Sequence, residues 1–87
     1  MALFVILENS LVSDDEVKKY RATHLKYVEE LYRQGKVFAA GRFLDDSGGM
    51  IIVNVGSREE AEKIAVNDPY SINKIRDYTV KRWDRVF

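Results

Sequence analysis

The sequence predicts a small α+β domain with the element order β-α-β-β-α-β. Three observations predict it. A continuous apolar run rich in β-formers occupies residues 2–7. Two capping-box signatures, Ser13-Asp14-Asp15-Glu16 and Ser57-Arg58-Glu59-Glu60, each open an amphipathic stretch. Between those stretches, the Gly-rich segment 44–49 separates two apolar runs as a hairpin turn would.

The run at 2–7 is too short for a helix and reads as a buried central strand. The helix after it spans residues 14–34. Ser13 and Glu16 cap its start, Val12 and Val17 occupy the staple positions, and the acidic first turn suits the helix dipole. Val17, Tyr20, His24, Tyr27, Val28 and Leu31 fall within one stripe about 100° wide, the face a surface helix turns to its core. Gly35 then ends the helix.

Residues 36–43, with the small patch Ala39-Ala40-Gly41, form a second strand, and residues 50–55 return as a third. The helix opened by Ser57 turns Ala61, Ile64 and Ala65 inward. It stops before Asn67-Asp68-Pro69 because a residue preceding proline avoids the helical region. Asp68 as N-cap with Pro69 at the first position starts one further turn. Residues 76–85, with Tyr78, Thr79, Val80 and Trp83, close the fold as a strand. The whole chain, 1–87, is then a single ferredoxin-like domain, with two helices on one face of a four-stranded antiparallel sheet. The other face has no helix to cover it and is partly apolar, so a homodimer through that face is expected.

Fourteen basic residues balance fourteen acidic ones, and no stretch is basic enough to track phosphates, so a nucleic-acid partner is not expected. Lys81, Arg82 and Arg85, interrupted by Asp84, read as a solvated strand face. Cysteine is absent, which removes disulfides, thiolate metal sites and cysteine nucleophiles. The apolar start lacks a basic leader and is too short to span a bilayer, so no membrane partner and a cytoplasmic location are expected. One histidine cannot build a multi-histidine zinc site, and Asp45-Asp46 in a Gly-rich turn reads as turn chemistry. No metal is expected.

His24 sits in the middle of the apolar stripe of the first helix. By position alone, a core histidine satisfied by backbone groups is the simpler account. Arg21, three residues earlier and about 60° round the helix, can reach the same pocket from its rim or pair with Asp14, Asp15 or Glu16. Asp68 has two oxygens, one to cap its turn and one to orient an imidazole. Tyr70 can offer its hydroxyl to a pocket or simply pack.

Arg21-x-x-His24, Gly35, Ala39-Ala40-Gly41, Ser57-x-Glu59-x-Ala61 and Asp68-Pro69-Tyr70, ending in Val80-Lys81 and Val86-Phe87, resemble the YciI-related family in order and spacing. The resemblance covers nearly the whole chain. It implies a dimeric α/β barrel of ferredoxin-like subunits and a histidine–aspartate pair lining a pocket, here His24 and Asp68. That family includes a dechlorinating enzyme of chlorinated hydroxyaromatic breakdown, and muconolactone isomerases share the broader architecture. Arg42 departs from the pattern, standing where the family usually has proline.

The activity so implied is general acid–base chemistry of lyase, isomerase or dehalogenase type on a small anionic or aromatic molecule. Asp68 would hold the His24 imidazole, and Arg21, Arg42 and Tyr70 would bind the substrate. No phosphate loop, dinucleotide fingerprint or nucleophilic serine motif is present, so no cofactor is expected. The alternative from another class is a non-catalytic ligand-binding or regulatory dimer, with a structural accessory subunit as a third.

Overall fold

Residues 2–87 are described by a computed structural model in which seven elements follow one another. These are β1 (Ala2–Ser10), α1 (Asp14–Arg33), β2 (Val37–Arg42), β3 (Gly48–Val55), α2 (Arg58–Val66), α3 (Pro69–Ile72) and β4 (Arg76–Trp83). The four strands form one antiparallel sheet in the order β2-β3-β1-β4. Both long helices start as expected, the Ser13 and Ser57 hydroxyls accepting from the backbone N–H of Glu16 and Glu60. The return half of the first capping box is replaced by an ion pair, since the Glu16 carboxylate binds Lys19 at 2.7 Å.

The helices and sheet meet over an apolar core. Phe4 and Ile6 of β1, Ile51, Val53 and Val55 of β3 and Val80 of β4 pack beneath Val28, Ala61, Ile64 and Ala65. Each of the buried Val, Ile and Phe side chains contributes about 1.5–3 kcal/mol. The stripe read on α1 is the face that packs: Val17, His24 and Val28 are buried, and Tyr20, Tyr27 and Leu31 half-buried. A smaller cluster of Val17, Tyr70 and Ile75 extends the core under α3.

Strand ends differ from the sequence-based expectation, and one difference matters for the site. β1 does not stop at residue 7 but runs on to Ser10. Glu8 is paired with Gly49 on one side and Tyr78 on the other, so its backbone is held in the sheet despite its polar side chain. The two-residue period of a strand then puts Glu8 on the same face as Phe4 and Ile6, beneath the helices, where it is buried. β3 correspondingly begins at Gly48, where a side chain would collide with the Glu8 carbonyl oxygen.

The opposite face of the sheet carries Leu3, Val5 and Leu7, in register with Asn54, Ile52 and Met50 of β3 and with Trp83, Lys81 and Thr79 of β4. Among the described residues no element covers this face. Among the described residues, no helix is long and apolar enough to cross a membrane.

Candidate functional site

The short turn of α3 exists because Asp68 caps it and Pro69 supplies a pre-set helical φ at its first position. Asp68 is fully buried. Its Oδ1 accepts from the Tyr70 backbone N–H at 2.9 Å and lies 2.8 Å from His24 Nδ1. The fold thus brings together two side chains that α1 and the α2–α3 connection carry separately. The division of labour differs from the expectation: capping and imidazole contact fall on one oxygen, because Tyr70 N and His24 Nδ1 converge on the same side of the carboxylate. Oδ2 is left buried without a donor.

With Asp68 ionised, the proton of that contact belongs to Nδ1, which donates. The opposite nitrogen, Nε2, has no bonding partner among the described residues, and His24 lines a cleft. The imidazole lies stacked on the Tyr70 ring, with centroids 4.1 Å apart and planes 21° from parallel. The Arg76 guanidinium stands 4.3 Å over the same ring. Two groups this close cannot share one face, so Tyr70 is sandwiched between them, a cation–π and stacking arrangement that fixes the imidazole plane.

Arg76 also binds Glu8 Oε1 at 3.2 Å, both side chains buried. Glu8 and Arg76 are the two site residues that sequence inspection missed. Strand periodicity, extended past residue 7 and applied from residue 76, is the signal that places both on the helix side. Gly49 leaves the room they need: a Cβ there would approach Arg76 Nη1 to 3.0 Å and the Gly41 carbonyl oxygen to 2.7 Å.

Electrostatics separate the two carboxyls. Burial works to raise the Asp68 pKa, but the hydrogen bond from His24, the proximity of the Glu8 carboxyl, the His24 charge and the Tyr70 N–H outweigh it and hold this carboxyl below its ordinary value. Glu8 goes the other way. Burial, then the proximity and charge of the Asp68 carboxylate, push it to about 8 against the opposing pull of Arg76. Burial raises Tyr70 as well, opposed by Arg76 and Arg21. Burial also carries Tyr27 to about 12, with its hydroxyl donating to the Ile64 carbonyl at 2.8 Å and tying α1 to α2.

The cleft measures about 730 Å³ and opens between α1 and β2. Leu25, Val28, Tyr32 and Val37 form its apolar wall, while His24, Tyr70, Arg21, Arg42 and Arg76 bring the polar groups. All five residues singled out from sequence belong here: four line the cleft, and Asp68 stands directly behind His24. Arg21 and Arg42 are tethered at the rim, to Asp14 at 3.6 Å and Asp46 at 3.3 Å. Tyr70 lines the cleft but is turned inward and nearly inaccessible. Glu8, His24 and Asp68 also offer ligand atoms within 4.8 Å of one another, the one group of metal-competent side chains among the described residues. The 2.8 Å separation of Nδ1 and Oδ1 is a hydrogen bond in this structure, which engages both atoms with each other.

This architecture has counterparts. The 5-chloro-2-hydroxyhydroquinone dehydrochlorinase TftG of Burkholderia phenoliruptrix AC1100, solved in complex with 2,5-dihydroxybenzoquinone, superposes with a TM-score of 0.80 at 27% identity, covering 94% of this chain and 93% of that one. The uncharacterized protein YjpA of Bacillus subtilis (strain 168) is 27% identical over 66 residues, 76% of this chain and 78% of YjpA. The model of the YCII-related domain matches residues 1–84, and the chain belongs to that family.

Proposed function

We propose that this protein is a small-molecule enzyme that transfers protons through His24, with Asp68 as the group that orients and charges the imidazole. The observation that carries the proposal is the 2.8 Å contact between His24 Nδ1 and Asp68 Oδ1, which leaves Nε2 for the cleft. A neutral imidazole so held accepts a proton at Nε2, and the resulting cation is stabilised by the carboxylate behind it. The same imidazolium then returns the proton to a product or leaving group. The substrate class is a small, planar, anionic molecule such as a deprotonated hydroxyaromatic ring. The apolar wall suits its ring, and Arg21 and Arg42 at the rim suit its charge. TftG, a dehydrochlorinase that binds a dihydroxyquinone, supports this choice of class and an elimination or isomerisation type of reaction.

The working form in this proposal is a homodimer through the open sheet face. Leu3, Val5, Leu7 and Met50, each half-buried, surround the buried Ile52 as one apolar centre on that face, which an interface would cover.

The test is turnover of a panel of chlorinated and unchlorinated hydroxyaromatics by wild type and His24→Asn, followed by chloride release and by absorbance. Turnover that disappears in His24→Asn supports the proposal. Binding across the panel without turnover in the wild type replaces it with a ligand-binding dimer.

A further inference from the structure

Behind the His24–Asp68 contact lies a second carboxyl that the chemistry above does not use. The Glu8 side chain is about 1% exposed. Its Oε1 takes one bond from Arg76, while Oε2 is buried with no donor. Asp68 Oδ2 is in the same condition, and the two carboxyls reach within 4.8 Å of each other. Two carboxylates this close in a dry pocket repel when both are ionised, and a proton on one of them removes that repulsion and gives an orphaned oxygen a donor to offer.

The proton's owner follows from the partners. Asp68 receives two N–H donors on Oδ1, from His24 and Tyr70, whereas Glu8 receives one longer bond from a guanidinium also engaged with the Tyr70 ring. Charge gives the same answer. With the imidazole neutral, as the proposed proton acceptor must be, Arg76 and Asp68 balance when Glu8 is neutral, whereas an ionised Glu8 leaves one buried negative charge uncompensated. The titratable groups facing Glu8 are Asp68 ahead of α3, Tyr70 on α3, His24 on α1, and Arg76 and Tyr78 on β4. β3 contributes only Gly49.

We infer that Glu8 is held as a neutral carboxylic acid that donates its proton to Asp68 Oδ2, and that it is the positioning residue keeping Asp68 ionised and aimed at His24. The second half rests on the proposed role of the His24–Asp68 pair; the first does not. The raised Glu8 pKa and lowered Asp68 pKa agree with it.

The experiment is a carbon-detected NMR titration of the side-chain carboxyls in the full-length wild-type protein from pH 4.5 to 9. Glu8 Cδ should show the protonated shift at pH 6 and titrate near pH 8, with Asp68 Cγ ionised throughout. Glu8 ionised at pH 6 overturns the inference. So does a joint shift of Glu8, His24 and Asp68 on adding micromolar zinc or manganese, which would make the cluster a metal site. For positioning, Glu8→Gln puts an amide donor in the proton's place and should preserve the His24 ring ¹⁵N shifts, whereas Glu8→Ala should change them. Identical His24 spectra in the two variants remove the positioning role. If Glu8→Ala does not fold, the Gln variant decides, altered His24 shifts counting against positioning. Absence of turnover in the wild type counts against the enzyme proposal and leaves the Glu8 titration standing.

Discussion

His24 Nδ1 and Asp68 Oδ1 stand 2.8 Å apart although 44 residues separate them in the chain. One lies mid-helix on α1 and the other caps α3, so only the packing of both elements against the sheet brings them into contact. Asp68→Asn probes this contact with little disturbance of the fold, because Asn is as good an N-cap as Asp. Because the cap and the imidazole share one oxygen, the Asn carbonyl stays in that place and still accepts from Nδ1, but the neutral amide no longer stabilises the imidazolium formed when Nε2 takes a proton. Turnover should fall about 10²–10⁴-fold while the urea midpoint stays near wild type. Asp68→Ala removes the cap as well and should cost about 0.5–2 kcal/mol in addition.

Much of this site was legible before any coordinates. Ser13 and Ser57 mark their helices by capping chemistry, and the stripe on α1 puts His24 on the buried side through 3.6-residue periodicity. Those are local signals. The contact of His24 with Asp68 is not local, and the family resemblance supplied it. Glu8 and Arg76 escaped because each stands at the edge of an apolar run, where a charged residue ordinarily marks the end of a strand. Their burial depends on β1 pairing with both neighbours as far as Ser10, a register that no single segment encodes.

The open sheet face yields a prediction about assembly. Val5 stands at its centre, between Ile52 of β3 and Lys81 of β4. Sedimentation of the wild type should give twice 10.1 kDa, and Val5→Glu should give the monomer, because burying a carboxylate in an apolar interface costs more than pairing with the neighbouring Lys81 returns. A wild type that sediments at 10.1 kDa at micromolar concentration removes the dimer.

Gly49 gives a sharper steric test. Alanine there would place its Cβ 2.7 Å from a backbone oxygen of β2, which cannot yield as a side-chain tip can, and 3.0 Å from Arg76 Nη1. Gly49→Ala should therefore destabilise the fold by about 1–3 kcal/mol, as overpacking does, and weaken the Arg76–Glu8 pair. Thermal melts measure the first effect and the Glu8 carboxyl titration the second. An unchanged melting temperature would mean that β2 and β3 separate more easily than their pairing suggests.

The two carboxyls of the site should also leave opposite marks on the pH dependence of stability. Glu8 is raised from an ordinary value of 4.5 to about 8, so between those pH values the folded state holds a proton that the unfolded state has released. Stability must fall across that window, its contribution being full below 4.5 and lost as pH rises through about 8. Asp68 is lowered from 3.8, so in acid the unfolded state takes up a proton that the folded state refuses. Its contribution is full above 3.8 and disappears as pH falls through the folded value. Urea midpoints measured from pH 3 to 9 should show both limbs, with similar m-values throughout. Glu8→Gln carries no titrating proton and should flatten the upper limb while keeping the lower one. Asp68→Asn should weaken the lower limb, and the upper one too, since Asp68 is a cause of the Glu8 shift. An upper limb that survives unchanged in Glu8→Gln would assign the decline to another group and leave Glu8 an ordinary ion-pair partner of Arg76.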